Sequence, residues 1–452
     1  MRTDSGSAGP AERKGRKMID KKIAQGILHA LEGGMVPENG LPYIAVGRKE
    51  EVEVITRDMD RIAEGYSTFR LLEGAYGTGK SFMARLIKNE ALFRGFLVMD
   101  CELAADRKLC GSKKEGLETY RVLLSRLSSK EKPGGSALES VLDRFAGRMT
   151  AEDASEEAWA GSLKKEIQQL PHGYDFYEVL CAYAEAYGKQ DQDRKDNLLR
   201  WFRGEYVNKT TSRKACGFSE IVEDGNWFSY LKIWAAFFKA LGYTGLYVIL
   251  DELTQITRNI VNSTTREHNF ERLLSMYNDC YGNGADHMGI ILCGIPSSIH
   301  DSRRGLFSYE ALKSRLNVSS LQGDEILGAP IIKLSMLTPE EFAVLLERVE
   351  AMHFMLHHEG SENEFYFTEE ERIQFVDFEY RRIGAVNHLT PREFLRDFLT
   401  ILNLKAEHRS GDTMEDFLYK GTGLETTPSM IGQADLDDLE EEESLKYEGF
   451  TI

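Results

Sequence analysis

Apolar residues recur along this chain with two different periods. In IDKKIAQGILHALEGG, Ile19, Ile23, Ile27, Leu28 and Leu31 return every three or four positions before a glycine pair, which predicts an amphipathic helix. The loop VPENGLPYIAV follows, and GRKEEVEVITRDMDRIAEG reads as a second, charged helix. Five short runs are instead apolar without alternation: FRLLEGA with its strand at Phe69–Glu73, GFLVMDCELA (95–104), LYVILDEL (246–253), MGIILCGI (288–295) and APIIKLSML (329–337). Strands buried on both faces of a parallel sheet read this way. Their separation by helical stretches predicts an α/β fold. Residues 105–240 form a long, charged and mostly helical insertion with aromatic patches, LLRWFRGEY and WFSYLKIWAAFFKAL. From Thr338 the pattern is helical, with TPEEFAVLL and TPREFLR each offering a Thr cap and a Pro at the first helical position. The expected organisation is a disordered lead-in at 1–18, a sheet domain at 19–337 carrying the insertion, a helical lid at 338–434 and an acidic tail at 435–452.

Composition narrows the class. No run approaches the roughly 18 apolar residues of a membrane span, and the basic start has no apolar core of a secretory signal. Cys101, Cys110, Cys181, Cys216, Cys280 and Cys293 include no C-x-x-C pair. A disulfide framework or zinc site is not expected, and a reducing cytoplasm is. The net charge of −17 argues against a generic polyanion binder and leaves room only for a local basic groove. Between Asp435 and Glu448 the tail carries eight acidic residues, which reads as a solvated segment or a partner-docking tail.

One segment carries strong chemistry. Gly74-Ala75-Tyr76-Gly77-Thr78-Gly79-Lys80-Ser81 fits G-x-x-x-x-G-K-[ST] in full, between a predicted strand and a predicted helix starting at Phe82. Glycines let such a loop wrap closely, so that backbone N–H groups and the helix end face phosphates. Lys80 is placed to reach the β- and γ-phosphates, and the Ser81 hydroxyl to ligate Mg²⁺. About 170 residues on, LYVIL ends in Asp251 and Glu252. The first carboxylate suits Mg²⁺, the second the attacking water. Together they predict an ATPase using ATP and Mg²⁺, with Lys80 and Glu252 catalytic.

Weaker signals surround it. Ser297 and Ser298 follow a strand end, where a polar side chain can sense the γ-phosphate. Of Arg303, Arg304 and Arg315, the last is best placed to reach a neighbouring subunit's γ-phosphate as an arginine finger. Arg392 opens a C-terminal helix and is a candidate sensor on the lid. His353, His357, His358 and Glu359 cluster without a second ligand group, so a metal site is not expected. Trp201, Phe202, Trp227, Phe228, Trp234, Phe237 and Phe238 could stack on bases but read first as core. Lys108, Lys113, Lys114, Arg121 and Arg126 give residues 107–130 a basic face, by default a solvated one.

The ordered set resembles the AAA+ superfamily on its origin-recognition and STAND-like side. AVGRKEEVEVITRDMDRI resembles the Gly-Arg box there, which implies that Gly47 and Arg48 sit near adenine. More closely, the layout is similar to the ATP-binding proteins of bacterial BREX-type phage-defence loci. The features in common are GAYGTGKS, LLRWFRGE, the GY-x-GL strand ending in Asp-Glu, and TPREFLR, over roughly residues 19–450. CGIPSS departs from the pattern, lacking an Asn or Thr at the sensor position. The resemblance implies a parallel-sheet P-loop NTPase (AAA+/ASCE) core that couples ATP turnover to assembly or remodelling of a DNA-associated complex. It further implies partners from the same locus, with DNA left open, no membrane, and a homo-oligomer. The rival expectation is a slow nucleotide-dependent switch or scaffold without motor activity; Glu252 favours the first, the acidic charge the second.

Overall fold

A computed structural model describes residues 19–151, 154–282, 284–316, 329–358, 365–382 and 390–419. The lead-in, residues 420–434 of the expected lid, the acidic tail and Glu359 lie outside the described residues. The described chain divides into two compact units. Gly47–Met336 is one, and the residues up to Val46 and from Leu337 onward are the other.

In the first unit, β1 (Thr68–Glu73), β2 (Leu97–Glu102), β3 (Leu246–Asp251), β4 (Met288–Gly294) and β5 (Ile331–Lys333) form one sheet in the order β2-β3-β4-β1-β5. Every pairing is parallel. This is the parallel α/β sheet that the apolar runs predict. The fifth strand is shorter than its apolar run, three residues against the nine of 329–337. Side-chain alternation explains the unbroken apolar character. Phe69, Leu71, Met99, Val248, Leu250, Ile290 and Leu292 join one large core. Their neighbours Leu72, Val98, Tyr247, Ile249, Ile291 and Cys293 are buried as well. Two helices, α1 (Lys21–Glu32) and α2 (Leu41–Ile44), precede α3 (Lys49–Ala63) and α4 (Lys80–Phe93). Of these, α3 and α4 pack on the sheet, where Ile62 of α3 and the Tyr247 ring leave no room for a side chain at Gly289.

Between β2 and β3 run α5 (Glu115–Ser125), α6 (Leu138–Met149), α7 (Ala154–Gln168), α8 (Gly173–Gly188), α9 (Gln192–Phe202), α10 (Lys209–Cys216) and α11 (Trp227–Ala240). The insertion has no separate core. Its aromatic side chains belong to the same apolar cluster as one face of the sheet. Phe176 is the hub, meeting Trp201, Phe202, Tyr230, Trp234 and Phe237 with ring centroids 4.9–6.3 Å apart. Trp201 and Trp234 place their indole N–H groups on the Glu220 carbonyl and the Tyr120 hydroxyl, so burial leaves neither unpaired. After β3 come α12 (Ser263–Tyr281), α13 (Pro296–His300) and α14 (Glu310–Leu316).

The second unit holds α15 (Pro339–His357), α16 (Glu369–Arg382), α17 (Pro391–Glu407) and α18 (Met414–Tyr419). Thr338 and Glu341 form a reciprocal capping box at α15, and Thr390 caps α17. The expected domain boundary differs at the front. Residues 19–46 are read from sequence as part of the sheet domain, yet α1 packs on α15 and α17, and α2 on α15. The apolar face Ala24, Ile27, Leu28 and Leu31 is buried, and polar bonds fix the arrangement. Asn403 donates to Glu32 at 3.1 Å, and Arg348 donates to the Ala45 carbonyl at 2.7 Å.

His353 is buried in this unit. Its Nε2 lies 2.9 Å from Asn403 Oδ1 and its Nδ1 3.3 Å from the Tyr366 hydroxyl. Burial pushes its pKa down to about 4, with His357 and His358 adding to the shift and Asn403 and Glu32 opposing it.

Two predictions follow from these interiors. Replacing Phe176 with Ala should cost about 3–5 kcal/mol, read as a lowered urea midpoint for the sheet unit as a whole, because insertion and sheet are one core. In the helical unit, the native state binds fewer protons than the unfolded state once pH falls below the ordinary His value. Stability contributed by neutral His353 is therefore fully present above pH ~6.5 and lost as pH falls toward 4, by about 3 kcal/mol in all. His353→Gln should flatten the pH dependence of thermal unfolding in that window.

Candidate functional site

The loop Gly74–Ser81 leaves β1 and enters α4. Gly77 and Gly79 have φ of 82° and 90°, a region that costs a side chain and suits glycine. At Gly74 a Cβ would collide with the Thr78 hydroxyl. That hydroxyl donates to the Ala75 carbonyl at 2.9 Å and holds the turn closed. Lys80 folds back over the loop, with Nζ 2.6 Å from the Gly74 carbonyl and 2.9 Å from that of Ala75. The start of α4 has no side-chain cap, so its first N–H groups and the helix dipole face the loop mouth. Tyr76 is exposed, and Phe82 lies half-buried in the first turn. Buried Arg48 braces the loop from behind, donating to the carbonyls of Thr78 and Ser335 at 2.7 Å each. Its other nitrogen meets Glu51 at 3.2 Å. The resemblance implies that Arg48 sits near adenine; in the structure its guanidinium ties the loop to the end of β5. Gly47, with φ 66°, turns the chain just before it.

Asp251 ends β3 beside this loop. The Ser81 hydroxyl lies 3.4 Å from Asp251 Oδ2, and the Glu252 N–H donates to Oδ1 at 2.8 Å. Burial raises the Asp251 pKa, and the Glu252 charge raises it further. The Glu252 N–H, Lys80 and Ser81 offset only part of that. A carboxylate in that condition gains from an added cation. Between the two strands, the buried Cys293 thiol of β4 is held well above its ordinary pKa by burial, with Asp251 and Glu252 raising it and Lys80 lowering it. The carboxyl ends of β1, β4 and β3 thus bring Lys80, Ser81, Asp251 and Glu252 to one place.

The remaining candidates separate. Ser297 is buried on α13 and accepts a hydrogen bond from Arg258 at 3.2 Å. Arg258 escaped the sequence reading because it lies in the irregular turn after β3, with no periodic pattern to mark it. The buried Ser298 hydroxyl has no hydrogen-bond partner among the described residues. His300 Nε2 lies 2.9 Å from Glu73 Oε2, at the root of the loop, a pair separated by 227 residues and invisible to local patterns. Arg315 is exposed, its guanidinium donating to Asn278 Oδ1 and the Ala311 carbonyl at 2.9 Å each. Arg303 and Arg304 are exposed too. Arg392 belongs to the helical unit, at the start of α17, with its stem against Gly34.

Other surfaces resolve as structure. All seven singled-out aromatics of the insertion are at most 4% exposed, so they are core. In the basic stretch, Lys108 pairs with Glu115, Arg121 with Glu118 and the Gly204 carbonyl, and Arg126 with Asp100. Among the described residues no helix is long and apolar enough to cross a membrane.

None of the curated proteins matches the chain. The family described as BREX system ATP-binding protein BrxC/D matches residues 19–420, which takes in both units, the loop Gly74–Ser81 and the Asp251–Glu252 strand end. The chain belongs to the family of BREX system ATP-binding proteins.

Proposed function

We propose that this protein hydrolyses ATP and couples turnover to assembly or remodelling of a DNA-associated phage-defence complex. The observation that carries the hydrolytic part is the meeting of the loop Gly74–Ser81 with the Asp251–Glu252 strand end, Ser81 and Asp251 being 3.4 Å apart. Backbone N–H groups of the loop, the α4 terminus and Lys80 suit a triphosphate. Ser81 and Asp251 would hold Mg²⁺, whose chemistry there is to neutralise charge developing on the phosphates. Glu252, exposed beside them, would accept a proton from water. The assembly part is supported by family membership, and partners from the same locus are the expected ones.

Two variants test the site. Lys80→Ala should lose ATP binding in a calorimetric titration, because the phosphates lose their point charge. Glu252→Gln should bind ATP as the parent does and turn over about 10²–10⁴-fold more slowly. Parental turnover by Glu252→Gln would favour a slow nucleotide switch instead.

A homo-oligomer with Arg315 acting between subunits is part of the same proposal. Its support is an exposed guanidinium pinned by Asn278 rather than left to wander. Arg315→Ala should bind ATP normally and lose turnover by up to about 10³–10⁵-fold, as arginine fingers do. Mixed with Lys80→Ala above ~10 µM, it should recover ATPase activity, since each partner supplies what the other lacks. A mixture that stays inactive while the parent turns over as a proven monomer returns Arg315 to an ordinary surface role.

A further inference from the structure

Glu252 is held in an unusual way. Its backbone has φ 63° and ψ 55°, the left-handed region that costs a side-chain-bearing residue of order 1–3 kcal/mol and persists only where surroundings enforce it. Two bonds hold the backbone there and a third holds the side chain. The Glu252 N–H turns back to Asp251 Oδ1 at 2.8 Å. Its carbonyl accepts from the Gln255 N–H at 3.0 Å. Its carboxylate Oε2 accepts from the Thr254 hydroxyl at 2.9 Å. The first two belong to the backbone turn that leads into the short helix Leu253–Ile256. The third acts on the carboxylate itself, and a substitution at Thr254 removes it while leaving the other two in place.

We infer that Thr254 is a positioning residue for Glu252, its hydroxyl holding one carboxylate oxygen so that the other is presented to the water that attacks ATP. The inference rests on the hydrolytic reading proposed above. A glutamate has three side-chain torsions, and an exposed one samples many rotamers. A hydroxyl fixed on the same turn selects among them without covering the second oxygen. Thr254 can do this because it is itself anchored. Its carbonyl accepts from the N–H groups of Thr257 and Asn259 at 3.3 and 3.1 Å. The neighbouring Leu253 and Ile256 are buried. Leu253 lies directly against Gly294 at the end of β4, where an added Cβ would come within 2.8 Å of its side chain. The position of the hydroxyl is therefore set by the sheet rather than by a mobile loop.

The test compares Thr254→Val, which keeps the shape and removes the donor, with Thr254→Ala and Thr254→Ser. Thr254→Val and Thr254→Ala should lower kcat about 10–100-fold, the scale of a misplaced catalytic group. Affinity for ATP, measured without turnover by calorimetry, should stay within about 3-fold, and thermal unfolding should match the parent. Thr254→Ser should restore the rate. In a crystal structure of Thr254→Val, the Glu252 carboxylate should leave its parental rotamer. Because the hydroxyl acts only through Glu252, Thr254→Val added to Glu252→Gln should slow single-turnover hydrolysis no further. Parental kcat in both Thr254→Val and Thr254→Ala overturns the inference. So does the same fold-loss with and without the Glu252 carboxylate. If Glu252→Gln alone hydrolyses at the parental rate, the catalytic assignment of Glu252 fails and this inference with it. A slow Glu252→Gln beside silent Thr254 variants removes the inference and leaves that assignment standing.

Discussion

The site exists because β4 lies between β1 and β3 in one particular register. Leu292 faces Leu71 on one side and Leu250 on the other. From that level β1 runs on to Glu73 and β3 to Asp251, so both strands release their chains at the same edge of the sheet. Slipping either strand by two residues would keep every side chain on its own face yet carry Ser81 away from Asp251 by about 7 Å. Strands apolar on both faces contain little to prevent such a slip. Glycines supply the missing specification. Gly289 sits under Ile62 and Tyr247, and Gly294 under Leu253. Neither place tolerates a side chain, so β4 has one position in which it fits beside β3 and α3.

That constraint also accounts for what could be read from sequence. Central parallel strands declare themselves as unbroken apolar runs, and four of the five appear close to their observed bounds. β5 is a sheet edge with little to bury, and its apolar run overstates its length. Lys80, Ser81, Asp251 and Glu252 were legible because their spacing to a strand end is local. Arg48, Arg258 and His300 act through partners from 30 to 287 residues away, and a single sequence does not record who those partners are. The same holds for α1, whose apolar face is plain in the sequence while the helices it packs against lie more than 300 residues downstream.

Some buried charges tie elements together. The Arg70–Asp58 pair, 2.6 Å apart, joins β1 to α3. Burial alone would drive the Arg70 pKa down, and its bonds to Asp58 more than reverse that, keeping it above its ordinary value. Glu350 accepts from the Phe367 N–H and Arg372 in the helical unit, yet burial still leaves its pKa raised. Asp251 in the sheet unit is raised in the same way, burial outweighing its bonds, and there a cation is expected.

The shared interior of sheet and insertion has an evolutionary corollary. An appended module can be lost, swapped or lengthened without disturbing its host. Here seven helices supply one wall of the sheet's hydrophobic interior, so a shortened descendant would expose that wall and would need another protein, or another part of itself, to cover it. Drift in the insertion is therefore answerable to the same selection as the nucleotide loop, although more than a hundred residues of chain separate Lys80 from the Trp234 that helps keep its sheet intact.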